Sequence, residues 1–507
     1  MSQMKTGALL SYVSLFITLI IALAYTPIMI RLIGQSEYGL YSLIGSLAAY
    51  FSIMDLGLGN TIIRYISQNR VIGDKSRESE LNGFFLKIYS FIGILAAIVG
   101  FIIWWNIELI FGGSLSTSEL EKAKIMVIIL IFNFSLSFPL SLFSSILQSY
   151  EKFVFVKLVG IFRSLMIPIL TLPILLMGYG AVSMLVITTL VNILALLYQV
   201  WYAFKKLDIK VSFIKVDVNF VKEILGFSFF IFLNVIVDMI YWNTDQFILG
   251  ITSGTEVVAI YAIAMQFIVI YKLFSTSISN LFLPKASRLV ANNASNEELT
   301  HLMLRYGRIQ FIILSFTLSG FILFGFPFIN IWAGYSYSDA YYIVLIVMIP
   351  LTIPLTQNFG IAVLQAKNQQ GFRAVTYIII AVINVVISIP LAIKYGGVGI
   401  AMATALSLIL GNIIIMNIYY HVKIGIHMIV FWKNILKILL VVSFLTVIGF
   451  GIDRFFITSD DIVWILLKVI IYSIIFFICI WRFGMNTYEK NLIKSINIKI
   501  KGLVLPN

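Results

Sequence analysis

The chain is poor in charge. Only 11% of its 507 residues are Asp, Glu, Lys or Arg, whereas a soluble domain carries about 25% to solvate its surface. So little charge cannot cover a water-soluble body of 57.3 kDa, which excludes a cytosolic enzyme. There is one cysteine, Cys479, set in an apolar run, so neither a disulfide framework nor a Cys-based metal site can be built. His301, His421 and His427 are the only histidines, and they lack the close helical spacing of a metal pair. No Gly-rich phosphate loop follows a strand, so direct ATP coupling is not expected. Neither a catalytic residue nor a cofactor is indicated.

What is abundant is apolar: 61% of the residues, with a mean hydropathy of +1.02. A spanning helix needs roughly 20 mostly apolar residues at about 1.5 Å rise each. Windows that meet this lie near 8–33, 39–68, 81–106, 121–148, 153–177, 180–203, 224–250, 256–284, 303–332, 338–365, 372–393, 397–420, 430–451 and 462–483. The runs are continuous rather than alternating, which argues against a membrane β-barrel. The expectation is an all-α polytopic membrane protein of about fourteen transmembrane helices.

The formal net charge is +13, and its distribution explains it. Cationic segments are Arg70/Lys75/Arg77, Lys152, Lys205 to Lys222, Lys285 to Arg308, Lys367/Arg373, Lys423 to Lys437 and the tail from Arg482. Each follows an even-numbered span. The opposite loops are short and carry Glu37, Glu108, Glu119, Glu121, Glu256, Asp339, Asp453, Asp460 and Asp461. This is the positive-inside pattern, so both termini are expected in the cytoplasm and no nucleic-acid partner is called for. Lys5, an apolar stretch and Ala22-Leu23-Ala24 together resemble a cleavable leader. Cleavage would invert the charge pattern, so the first span is read as retained. Stretches 210–222, 286–302 and 486–504 look amphipathic and are expected on the bilayer surface. Ser295-Asn296-Glu297-Glu298 has capping-box spacing and starts the ninth span ahead of the membrane.

The first half of the chain matches the second. Phe16, Tyr25 and Gly34 fall on Phe232, Tyr241 and Gly250, and Tyr41 and Asn60 on Tyr261 and Asn280. Ile110 and Gly113 fall on Ile331 and Gly334, Leu147-Gln148 on Leu364-Gln365, Pro173 on Pro390 and Gly180 on Gly397. Most of these are Gly, Pro, Gln, Asn or Tyr, which a bias towards Ile and Leu does not generate. Six spans repeating as six in one orientation predict two six-helix lobes around a cavity, with the last two spans an appendage. The expected segments are an N-lobe at 1–204, an amphipathic linker at 205–223, a C-lobe at 224–422, the appendage at 423–485 and a tail at 486–507.

Polar residues inside a bilayer are costly and mark function. On the seventh span Asn234, Asp238, Tyr241 and Asp245 form one face, mirrored on the first by Thr18, Ala22, Tyr25 and Met29. Lys272 lies near the middle of the eighth span, and in the repeat Asp55 pairs with Ser275. Arg163 is embedded in the fifth span, Arg64 sits towards the cytoplasmic end of the second, and Arg31 closes the outer end of the first. Buried cations beside a polar stripe suit a phosphate or diphosphate. Lys272, Arg163, Arg64, Arg31, Asp55, Asn234, Tyr241 and Tyr25 are therefore candidate substrate contacts. Asp238 and Asp245 are candidate coupling sites for H+ or Na+. The plainer alternatives are headgroup snorkelling for Arg31 and Arg64 and a structural Asp238–Lys272 salt bridge. Gln148 and Gln365, which end the fourth and tenth spans, and Pro173 and Pro390, which loosen the helix ladder, are gate or hinge candidates.

Several motifs are familiar together. Gly7-Ala8-Leu9-Leu10-Ser11, Arg31-Leu32-Ile33-Gly34, Glu37-Tyr38-Gly39-Leu40-Tyr41 and Met54-Asp55-Leu56-Gly57-Leu58-Gly59 resemble the Wzx-type oligosaccharide flippases of the multidrug/oligosaccharidyl-lipid/polysaccharide superfamily. Thr244-Asp245-Gln246-Phe247-Ile248-Leu249-Gly250 and Leu364-Gln365-Ala366-Lys367-Asn368-Gln369-Gln370-Gly371 carry the same resemblance. It implies a bacterial inner-membrane protein that moves undecaprenyl-diphosphate-linked oligosaccharide units to the outer leaflet for O-antigen, capsule or exopolysaccharide assembly. It also implies a cationic central cavity, a lipid-tail groove at the last two spans, membrane lipids as surroundings, and polymerase and chain-length machinery as partners. Arg31 and Asp55 fall in its motifs, whereas Lys272 and Arg163 rest on depth and charge. Two alternatives stay open on the sequence: a cation-coupled multidrug exporter of the same superfamily, and a membrane polysaccharide polymerase or ligase.

Overall fold

The computed structural model describes residues 3–213, 218–279, 282–455 and 462–504, and they contain helices but no strand. Twelve stretches among them are long and apolar enough to cross a membrane. One of these, Gln370–Ile424, folds as two helices about Gly396, and Val218–Thr252 adds a further 35-residue apolar helix. The chain is a multi-pass, all-α membrane protein. It divides into two compact units, Met1–Ala262 with Ser388–Gly397, and Ile263–Ile387 with Val398–Asn507.

The first unit holds α1 (Gln3–Ile33), α2 (Gln35–Ser52), α3 (Leu58–Ile72), α4 (Lys75–Trp105), α5 (Ile107–Phe111), α6 (Thr117–Ser149), α7 (Phe153–Leu176), α8 (Ala181–Leu207), α9 (Val218–Thr252) and the start of α10 (Thr255–Ser279). Local chemistry sets the starts. The Asp74 side chain accepts from the Arg77 amide ahead of α4, and Ser116 with Glu119 forms a capping box ahead of α6, satisfying amides that have no partner in the first turn. α4 packs on α6, α6 on α8, and α7 on α1 and α8. Phe51, Leu58, Phe85, Ile92 and Leu142 fill the core between them. α9 is tied to α2 and α3 by Tyr50 Oη donating to Thr244 Oγ1 (2.8 Å) and by the Thr61–Ser228 hydroxyl pair (2.8 Å). The acidic loop residues brace helix ends: Glu37 pairs with Lys122 and accepts from the Ala181 amide at 2.7 Å, and Glu108 pairs with Lys124. Asp460 and Asp461 lie outside the described residues, as does the side chain of Asp453.

The second unit contains the rest of α10, α11 (Phe282–Ala291), α12 (Asn296–Trp332), α13 (Asp339–Thr356), α14 (Asn358–Ala366), α15 (Gln370–Leu408) apart from its Ser388–Gly397 stretch, α16 (Met416–Tyr419), α17 (Met428–Phe455), α18 (Ile462–Cys479) and α19 (Thr487–Val504). Ser295 caps α12, accepting from the Glu298 amide at 3.2 Å, as the spacing indicates. α12 is the hub against which α13, α17 and α18 pack, with Phe311, Phe431, Ile438 and Phe476 in its core.

Several expected single spans are interrupted. The second breaks between α2 and α3, where Leu56 (φ 53°) and Gly57 (φ 70°) are left-handed. In the eighth, residues 280 and 281 lie outside the described residues, Asn280 among them. The tenth breaks at Gln357, after Pro350 and Pro354 have removed two ladder donors. The twelfth widens into π-turns at Ile409–Ile415 and Tyr420–Ile424. Pro173 and Pro390, expected as hinges, sit inside helices that continue through them. The expected surface helix at 210–222 is absent over 210–213, which carry no helix. There the Ser212 amide donates to Ser79 O (2.9 Å) and Asn82 Nδ2 to Lys210 O (3.1 Å), so pairing with α4 replaces helical bonding.

Candidate functional site

In the first unit, the polar residues that sequence reasoning placed at depth separate into distinct roles. Arg163, near the middle of α7, donates from Nη1 to Asn192 Oδ1 on α8 (2.8 Å). Asn192 Nδ2 in turn donates to Asn133 Oδ1 and Ser137 Oγ on α6, both at 3.0 Å. Asp55 stands at the α2–α3 break and accepts from Tyr89 Oη (2.6 Å), with Ser141 also bonded to that tyrosine. Asp245 is 2% exposed and accepts from the buried Tyr261 hydroxyl, an internal pairing rather than an open carboxylate. Tyr25 is half-buried and ties α1 to α7 through Thr171 Oγ1 (2.7 Å). The Tyr241 ring packs edge-on against Trp242. Arg31 and Arg64 are exposed, and Arg64 lies 5.7 Å from the Tyr65 ring centre. The side chains of Asn234 and Asp238 lie outside the described residues, so the expected polar stripe is described only at Tyr241 and Asp245, and the Asp238–Lys272 pair is not described. Gln148, at the end of α6, donates to Ser144 O at 3.4 Å.

In the second unit, Lys272 is half-buried in the C-terminal half of α10. One turn on, Ser275 accepts from Gln310 Nε2 (3.0 Å) and Asn358 Nδ2 (2.8 Å), and both carboxamides also reach Ser279. At the repeat position of Asp55 the second half therefore carries a neutral node. In the first unit the carboxylate beside the α2–α3 break binds a phenol, and in the second a hydroxyl binds two amides, one of them from Asn358 at the α13–α14 break. Gln365 lies half-buried in the last turn of α14.

A groove of about 1030 Å³ runs along α12, α13, the π-turn region and α17. Its walls include Phe311, Ile349, Ile353, Leu436, Leu439, Val447 and Phe450, and Ile418, Val422, Leu436 and Val447 are exposed along it. Among the lining residues are also Lys433, His421 and Trp432, the last donating from Nε1 to Asn417 Oδ1 (2.7 Å). Asn417 Oδ1 accepts from Gln357 Nε2 too (2.9 Å), which joins this region to the α13–α14 break.

Asn133, Asn192, Gln310 and Asn358 escaped sequence reasoning. Asn133 and Asn192 are isolated carboxamides within apolar runs, and that is the signal that could have found them, whereas Gln310 stands close to Arg308 and Asn358 beside Gln357. The hydroxyl partner Ser137 carries no such mark, because a serine can bond its own helix backbone.

The model of the family described as "Polysaccharide biosynthesis protein" matches residues 4–290. A putative O-antigen transporter of Shigella flexneri is 21% identical over 410 residues, covering 79% of this chain and 94% of that protein. Among solved structures, the lipid II flippase MurJ in an inward closed conformation superposes with a TM-score of 0.70 at 17% identity, over 93% of this chain and 97% of that one. An inward-facing multidrug resistance transporter of the MATE family reaches 0.61 at 18% identity, over 78% of this chain and 96% of that one. At these identities the two structures establish a shared fold.

Proposed function

Because the chain belongs to the polysaccharide biosynthesis protein family, we propose that it is a flippase that carries lipid-linked oligosaccharide from the inner to the outer leaflet of a bacterial inner membrane, with both termini cytoplasmic. The substrate class is an undecaprenyl-diphosphate-linked repeat unit, moved by alternating access for assembly of O-antigen, capsule or a similar polymer. The named relative, a putative O-antigen transporter, supports the cargo.

The groove of the second unit carries this reading. The substrate is an amphiphile whose sugar head must cross while its tail stays in an apolar medium. A tail leaving the bilayer for an apolar groove gains little hydrophobic free energy, since lipid chains are as apolar as Leu side chains. The groove therefore holds and orients the tail rather than supplying affinity. Lys433 and His421 supply donors for a phosphate beside it.

Purified protein in proteoliposomes containing fluorescent lipid-linked oligosaccharide is the test. The labelled sugar is expected to become accessible to a membrane-impermeant reagent on the opposite side, without chain growth. Leu439→Trp and Ser443→Trp, which fill the groove, are expected to slow this several-fold while thermal unfolding stays unchanged. Drug efflux without movement of the sugar lipid would replace this reading with that of an exporter, and polymer formation with that of a polymerase.

A further inference from the structure

Among the described residues, no ion pair neutralises Arg163. α1, α7 and α8 contain no Asp or Glu, and α6 contains only Glu119 and Glu121 at its start. Glu121 is twelve residues from Asn133, about 18 Å along the helix. Arg163 is exposed as a residue, and its Nη1 donates to Asn192. A guanidinium halfway along a spanning helix needs water or an anion beside it.

The amide of Asn192 is committed by its neighbours. Both hydrogens of Nδ2 are used, one on Asn133 Oδ1 and one on Ser137 Oγ, and Ser137 donates to Asn133 at 3.2 Å. Only the Asn192 oxygen is left to face α7. It holds one edge of the guanidinium without cancelling its charge, leaving the other donors for a ligand. A carboxylate at this position would have satisfied the arginine completely.

We propose that Arg163 contacts the diphosphate of the lipid-linked substrate and that Asn192, fixed by Asn133 and Ser137, is the positioning residue that aims it. The proposal rests on the flippase reading for the identity of the cargo, and its chemistry is that of a phosphate anion.

Asn192→Asp separates this from a structural role. The variant is isosteric, and rotation of the Ser137 hydroxyl and a flip of the Asn133 amide let both donate to the new carboxylate, so the three helices stay joined. It also pairs Arg163 with an internal anion. Two measurements are made on the full chain, beside Arg163→Gln: translocation in proteoliposomes, and the thermal shift in detergent produced by undecaprenyl diphosphate compared with undecaprenol. The wild type is expected to be stabilised by the diphosphate and not by the alcohol. Asn192→Asp is expected to unfold at or above the wild-type temperature, to lose the diphosphate shift and to translocate about tenfold more slowly or worse, the loss that follows a missing charge-assisted hydrogen bond. If a wild type that transports is matched by Asn192→Asp in rate and in diphosphate shift, the proposal is overturned and the flippase reading stands. A wild type that shifts with diphosphate, through Arg163 and Asn192, yet moves no sugar lipid retains the anion site and sinks the flippase reading. Absence of any diphosphate shift in the wild type overturns the site.

Discussion

Glu489→Ala is expected to loosen the C-terminal helix α19 from its seat on the second unit. Glu489 is 3% exposed and Arg308, on α12, is 4% exposed. They meet through two parallel bonds, Arg308 Nε to Oε1 at 2.6 Å and Nη2 to Oε2 at 3.0 Å. Two further guanidinium donors go to Asn434 O (3.0 Å) and Gly484 O (2.7 Å), so one arginine gathers α12, α17, the end of the α18 span and α19. Glu489 Oε2 also accepts from the Asn486 amide at 2.8 Å and Asn486 Oδ1 accepts from the Glu489 amide, closing the first turn of α19. Removing the carboxylate leaves a buried guanidinium whose charge has no counterpart, which costs about 3–5 kcal/mol, and opens a helix start worth about 1 kcal/mol. The assay is chemical or thermal unfolding of detergent-purified protein. Glu489→Ala should lose several kcal/mol, and Arg308→Met with Glu489→Leu should recover most of it, since paired apolar replacements of buried ions are nearly neutral. A loss below about 1 kcal/mol for Glu489→Ala, the range of exposed pairs, would refute the docking. The neighbouring Arg305 stacks 3.5 Å from the Tyr488 ring centre and reinforces the same seat.

Close backbone approaches should be equally sensitive. A Cβ on Gly83 would lie 1.9 Å from Ser212 O, and one on Gly39 would lie 1.8 Å from Thr255 O. Gly83→Ala and Gly39→Ala should each destabilise by at least about 1–3 kcal/mol in thermal unfolding. Gly45, with nothing within 4 Å of its added carbon, should accept Ala with no loss, or gain up to about 1 kcal/mol of helix propensity. Equal melting of all three variants would contradict the packing described. Tyr89→Phe removes the phenol that donates to Asp55 and should destabilise by about 1–3 kcal/mol. An unchanged unfolding midpoint would show that Asp55 does not depend on that donor.

Helical class and element order were legible in the sequence, because hydropathy acts locally: most long apolar runs fold as membrane-length helix, and the Ser295 cap stands where its spacing put it. Identity of partners was not legible. Asp245 and Tyr25 share faces that suggested a ligand-binding stripe, yet their oxygens bond Tyr261 and Thr171. The breaks at Leu56–Gly57 and Gln357 were hidden inside runs that score as continuous helix, since hydropathy does not register a left-handed backbone or an uncoupled ladder.

The sequence by itself determined a chain of membrane helices whose long apolar runs carry a few charged residues. A charge in hydrocarbon is costly wherever the helix goes, so its presence is already information. Only the tertiary structure decided which of those charges are cancelled. Arg308 meets a carboxylate 181 residues away in the chain, and Arg163 meets a carboxamide that leaves its charge standing. That outcome depends on which helix faces are brought together, and no local pattern encodes it.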